Sequence, residues 1–333
     1  MKEVAVLGAG SWGTALGIHL ARLGKSVRLW GRDPELMTAL REERCNHNYL
    51  PGAMLPPGVF PTASLGCALD KVACVIWAIP SHATRDMLRL AAPLLASDTP
   101  IVSGTKGFEV GTLLRISEVI QQELGSTRPM AVLSGPCFSA ELARGAHTAV
   151  VVASHSSVVA KTVQQEFRAP YLRLYVSDDV PGVEVGGAMK NVIAIAAGVV
   201  DGLGLGPNAL AALITRGLAE ISRLASALGG RRETLAGLSG LGDLILTCTG
   251  GLSRNCRVGQ GLASGKSLSE IQSGMQVAEG VRTTEVGVML GERHSVDLPI
   301  STQMHAVLEG RIEVASAIEE LMLRRQRAES DAV

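Results

Sequence analysis

Aromatic residues make up only 3% of this 333-residue chain while hydrophobic residues make up 47%, so its cores must be packed with aliphatic side chains. Neither sign of charge is in excess. The 31 basic and 31 acidic residues cancel, which removes the main electrostatic argument for nucleic acid or an anionic membrane as a partner. A small anionic substrate needs only a local cluster and stays open. The six cysteines (Cys45, Cys67, Cys74, Cys137, Cys248, Cys256) include no CxxC pair, and several fall in apolar, strand-like runs, which reads as reduced thiols in a cytoplasmic protein. Seven histidines without an HxxxH spacing lead us to expect no metal site. No apolar run approaches the roughly 20 residues that span a bilayer, and a first strand expected by residue 3 leaves no room for a signal peptide.

What is present suggests two domains, each long enough for its own core. Apolar runs alternate with helical patterns through the first half: EVAVLG, SVRLWG, ACVIWAI, PIVSG, MAVLSG, TAVVVAS and YLRLYV. That alternation is the mark of an α/β unit with a mainly parallel sheet covered on both faces. Beyond residue 180 the strands stop and helices are expected at about 183–201, 208–228, 255–264, 267–272, 283–292, 300–308 and 313–327, with Asn208 as an N-cap. The expected domains are therefore 1–180 and an all-helical 181–333.

The first run continues as VLGAGSWGTALG, placing Gly8, Gly10 and Gly13 in GxGxxG spacing between a buried strand and a helix. The glycines permit a tight turn and close approach of a pyrophosphate, and the helix start supplies amides and a positive dipole end. Ser11 and Trp12 lie in the same turn. The second strand ends in Trp30-Gly31-Arg32. An arginine there pairs with a 2′-phosphate, whereas Asp33 before Pro34 suits a helix N-cap. The reading favours NADP over NAD.

In the stretch GGAMKNVIAIAAG, residues 186–198, Lys190 sits among residues with almost no side chain. Something must approach that backbone closely, either another helix or a ligand. Further polar residues follow strand ends at Lys106 (TKGFE) and Gly135 (SGPCFSAE), where parallel sheets bind ligands. The helical half adds Asp243 in a glycine-flanked turn and Ser253-Arg254-Asn255 at a helix start, an anion-binding combination.

With the VAEGVRT stretch, these blocks in this order resemble bacterial NAD(P)-dependent sn-glycerol-3-phosphate dehydrogenase over nearly the whole chain. The resemblance implies a Rossmann-type N-terminal domain and interconversion of glycerol 3-phosphate and dihydroxyacetone phosphate, supplying phospholipid synthesis. It implies Lys190 as catalytic acid/base, and Lys106, Gly135, Cys137, Lys190, Asp243, Ser253, Arg254 and Asn255 as substrate-binding. Cofactor contacts so implied, beside the glycine turn and Arg32, are Lys106, Ser139, Arg254, Val277 and Glu279. Two departures stand out: Cys137 replaces the usual serine or threonine, a thiol being the weaker donor, and Ser139 replaces alanine. A homodimer is common among relatives. The alternatives are a reductase of another small hydroxy acid and a non-catalytic NADP-binding sensor.

Overall fold

The computed structural model describes residues 2–273, 278–325 and 328. All seven apolar runs form strands, and three further short strands join them. In chain order they are β1 (Glu3–Leu7), β2 (Ser26–Trp30), β3 (Cys45–Asn46), β4 (Leu50–Met54), β5 (Val59–Thr62), β6 (Cys74–Trp77), β7 (Ile101–Ser103), β8 (Met130–Ser134), β9 (Thr148–Ala153) and β10 (Leu172–Ser177). β3 and β4 pair as a separate hairpin, and the other eight form one sheet in the order β10-β9-β8-β7-β6-β1-β2-β5. Neighbours are parallel except β8 and β9. The runs read as continuous rather than alternating because both faces are covered, and Val4, Ala5, Val6 and Leu7 are all fully buried. β1 lies between β2 and β6, so the strand order reverses at it, and the carboxyl end of a strand at such a switch point is where open α/β sheets bind their ligands. β5 escapes a pattern reading because Pro61 interrupts it. Proline is tolerated there because β5 is an edge strand.

The chain forms two units. The first runs to Lys106 and resumes from Ile116 to Val180; the second holds everything from Pro181 on and also Gly107–Arg115. The short insertion differs from a single cut near residue 180, and its side chains explain why. Phe108 and Leu113 are buried in the core of the helical unit, and Arg115 Nη1 donates to Glu184 Oε2 at 2.9 Å.

The centre of the helical unit is the helix Val180–Gly202. Among the described residues it is the one helix long and apolar enough to cross a membrane, which corrects the expectation that no such run exists, but 94% of its apolar window is buried inside the protein. The helix Arg254–Ala263 lies hard against it: a Cβ on Gly198 would sit 1.9 Å from Cys256 O, and one on Gly259 1.9 Å from Ile195 O. The helix Gly206–Ala227 is capped by Leu205, not Asn208. Pro207 occupies its first turn, where a missing N–H costs nothing, so the helix begins before the asparagine. Asp243 opens a helix, Asp243–Thr249, rather than lying in a turn.

Candidate active site

In the first unit the glycine turn joins β1 to the helix Ser11–Arg22. Gly8 has φ +112°, and a Cβ there would lie 2.5 Å from Ala78 O; a Cβ on Gly13 would lie 1.9 Å from Gly8 O. Gly10, by contrast, faces open space, with nothing within 4 Å of an added Cβ. It is also the helix N-cap, and no side chain caps the helix. The turn therefore offers first-turn amides and room beside them, which fits a dinucleotide pyrophosphate. Trp12 keeps a buried indole N–H with no hydrogen-bond partner. Arg32 is exposed just beyond β2, while Asp33 caps the helix Pro34–Glu43 by accepting from Glu35 N and Leu36 N at 3.0 and 3.2 Å.

Two strands along, Lys106 follows β7 and Gly135 follows β8, and the structure brings them together: Lys106 Nζ donates to Gly135 O at 3.3 Å. Gly135 turns with φ +129°, which L side chains rarely adopt, and a Cβ there would also crowd Val150 Cα at 3.1 Å. Cys137 is half-buried against the sheet's core, and Ser139 begins the helix Ser139–Arg144.

In the helical unit Lys190 is 7% exposed and Asp243 1% exposed. The ammonium donates to Asp243 Oδ1 at 2.5 Å and to Thr247 Oγ1 at 2.7 Å. Thr247 spends its own hydroxyl proton on Asp243 O at 2.6 Å, so toward lysine it can only accept. Thr247 was not anticipated. Its signal was the i, i+4 spacing from Asp243 on one helix face. At Gly186 the close neighbour is protein, since a Cβ would lie 2.6 Å from Ser239 O.

Ser253 caps the helix Arg254–Ala263, its Oγ accepting from Cys256 N at 3.2 Å. Arg254 is exposed in the first turn. Asn255 is buried and engaged at both ends of its carboxamide: Nδ2 donates to Asn191 Oδ1 at 2.9 Å, and Oδ1 accepts from Gly280 N at 3.1 Å. That second bond ties the helix start to Gly280, in the first turn of the helix Glu279–Arg293. Val277 lies outside the described residues. Among the described residues no group of three or more His, Cys, Asp or Glu side chains could hold a metal ion.

A GxGxxG turn that joins a parallel strand to a helix in one unit, and a buried lysine held by a carboxylate in the other, are the features expected of the class of nicotinamide-dependent dehydrogenases. Residues 3–160 match the family model described as NAD-dependent glycerol-3-phosphate dehydrogenase N-terminus, and residues 179–319 match its C-terminal counterpart. The chain is 51% identical to the glycerol-3-phosphate dehydrogenase (NAD(P)+) of Thioalkalivibrio sulfidiphilus over 98% of both chains, and 50% identical to that of Koribacter versatilis over 99% of both. It resembles the crystal structure of the glycerol-3-phosphate dehydrogenase from Coxiella burnetii with a TM-score of 0.94 and 41% identity, covering 97% of this chain and 99% of that one. The chain belongs to the NAD(P)-dependent glycerol-3-phosphate dehydrogenase family.

Proposed function

We propose that the protein interconverts sn-glycerol 3-phosphate and dihydroxyacetone phosphate with NAD(P)(H), preferring NADP, and so supplies glycerol 3-phosphate for phospholipid synthesis. The observation that carries this reading is the buried Lys190–Asp243–Thr247 cluster in a chain of this family.

When bound, the reduced nicotinamide supplies a hydride for the C2 carbonyl carbon. Lys190 Nζ gives a proton to the C2 oxygen as negative charge develops there, and in the oxidative direction it takes that proton from the hydroxyl. Asp243 supplies the counter-charge that lets an ammonium exist in a buried place, and Thr247 fixes its direction. Lys106, held on Gly135 O, adds positive field for the substrate, with Gly135 acting through its main chain and Cys137 as the weaker donor.

The start of the helix Arg254–Ala263 receives the phosphate. Arg254 contributes its guanidinium and Asn255, whose carboxamide is already engaged, its main-chain amide; Ser253, whose Oγ caps the helix and whose N–H donates to Gly250 O at 3.1 Å, acts mainly by ordering this helix start. Gly8, Gly10, Ser11, Trp12 and Gly13 would hold the cofactor at its pyrophosphate and Arg32 at the 2′-phosphate; the family resemblance adds Lys106, Ser139, Arg254, Val277 and Glu279 as further contacts.

The test is oxidation of NADPH by the purified protein with dihydroxyacetone phosphate, unphosphorylated dihydroxyacetone and ketopantoate side by side. Turnover with the phosphorylated ketone, at a kcat/KM more than about tenfold above the other two, is the expected result. No turnover with it, or a preference for ketopantoate, overturns the assignment.

A further inference from the structure

We infer that Asn46 is a positioning residue for the cofactor: it holds the Ala9 carbonyl inward and thereby turns the Gly10 amide outward, toward the pyrophosphate. This rests on the dinucleotide reading of the glycine turn and names what sets that turn's polarity. Asn46 lies in β3, far along the chain from the turn, and is fully buried. Its Nδ2 donates to Ala9 O at 2.9 Å and to Thr14 Oγ1 at 2.8 Å, and its Oδ1 accepts from Tyr49 N at 3.1 Å. Ala9 O can only accept and Tyr49 N can only donate, so the carboxamide has a single orientation.

The peptide joining Ala9 to Gly10 is planar and trans, which points its N–H opposite to its C=O. With the carbonyl directed at Asn46, the Gly10 N–H faces away from it, on the residue whose missing side chain leaves open space. A rotation of that peptide would present carbonyl lone pairs to the anion instead. Asn46 blocks the rotation, because a flipped carbonyl would leave a fully buried amide donor without its acceptor. Its bond to Thr14 also ties the turn to the first turn of the helix Ser11–Arg22.

The test reads binding, not turnover alone. Asn46→Leu keeps much of the bulk and removes all three bonds; Asn46→Asp keeps the acceptor for Tyr49 N and removes both amide donors. Dissociation constants for NADPH, NADH and ADP-ribose are compared with that for adenosine 2′-phosphate, which lacks the 5′-phosphates that the turn would hold. Both variants should weaken the three pyrophosphate ligands by about tenfold or more, and to a similar extent. Adenosine 2′-phosphate should change by less than about twofold, and kcat at saturating NADPH by less than about threefold. For Asn46→Asp the loss should shrink as pH falls, because a protonated carboxyl can again donate to Ala9 O.

If the leucine variant does not fold, Asn46→Asp and Thr14→Val decide the matter. Thr14→Val removes the Asn46–Thr14 bond and the longer bond that Thr14 Oγ1 donates to Ala9 O at 3.4 Å, but spares the Asn46 bond to Ala9 O at 2.9 Å, and should weaken NADPH by less than the aspartate variant. Unchanged pyrophosphate affinity in a folded Asn46 variant overturns the inference, as does equal weakening of adenosine 2′-phosphate or an equal effect of Thr14→Val. A wild-type protein that binds none of these ligands overturns the dinucleotide reading itself, and this inference with it.

Discussion

Lys190 carries both the proton of the proposed reaction and half of a buried ion pair, and the two roles separate by mutation. Lys190→Ala and Lys190→Met should lower kcat by orders of magnitude while leaving NADPH affinity nearly intact; retention of more than about a tenth of kcat, worth only ~1.4 kcal/mol, would contradict the acid/base role. Either change also removes the ammonium that balances the charge of the Asp243 carboxylate, which is 1% exposed, at a cost of about 3–5 kcal/mol in urea unfolding. Adding Asp243→Leu to Lys190→Met should recover much of that stability and none of the activity. Arg32 poses a simpler question, because it stands exposed at the end of β2. Arg32→Ala should reduce kcat/KM for NADPH by about 1–3 kcal/mol and alter NADH by less than about threefold. A parallel fall for both cofactors would mean that Arg32 does not read the 2′-phosphate.

Among elements, the crossing of Val180–Gly202 with Arg254–Ala263 is the most demanding contact, since two glycines bring backbone onto backbone. Gly259→Ala should cost about 2 kcal/mol or more in urea unfolding and raise the KM for dihydroxyacetone phosphate, because the displaced helix carries Arg254. Gly251→Ala, where an added Cβ meets nothing within 4 Å, is the control and should change stability by less than about 0.5 kcal/mol. Elements like these differ in how far they can be read from sequence. β1 and β6 were legible because burial on both faces leaves unbroken apolar runs, and the Asp33 cap because its partners lie two and three residues away. β5 was hidden by Pro61. The Gly107–Arg115 insertion was hidden because its reason for leaving the first unit is tertiary: Phe108 and Leu113 fill a core built by residues after 180. The same holds inside the site. The glycine turn and Lys190 announce themselves locally, whereas Asn46 and Thr247 act on partners 37 and 57 residues away.

Across the whole molecule, two buried titratable groups give the units opposite responses to pH. His19 bonds Phe167 O through Nε2 at 2.7 Å and the Tyr171 hydroxyl through Nδ1 at 3.0 Å, and burial holds its pKa down at about 4. An unfolded chain takes up that proton near 6.5, so this contribution is fully present above pH 6.5 and is lost as pH falls toward 4. Glu220 accepts from Ile300 N and from Ser301 N and Oγ, yet burial pushes its pKa up to about 7. Its contribution is fully present below pH 4.5 and is lost as pH rises toward 7. Each is worth up to about 3 kcal/mol. Acidification from about pH 7 to about pH 5 should therefore weaken hydrogen-exchange protection around Phe167 and strengthen it around Ile300, after correction for intrinsic exchange. His19→Gln and Glu220→Gln should each abolish one of the two responses. The insertion of Phe108 into the helical core also has an optical consequence. Trp12, Trp30, Trp77, Tyr49, Tyr171 and Tyr175 all belong to the first unit, and no phenylalanine, tyrosine or tryptophan occurs after residue 180, so Phe108 is the only such ring in the second. Tryptophan and tyrosine fluorescence thus arises from the sheet unit alone, while far-ultraviolet dichroism reports helices of both units, so a dichroism change that does not coincide with the fluorescence change reports melting of the second unit without any attached label.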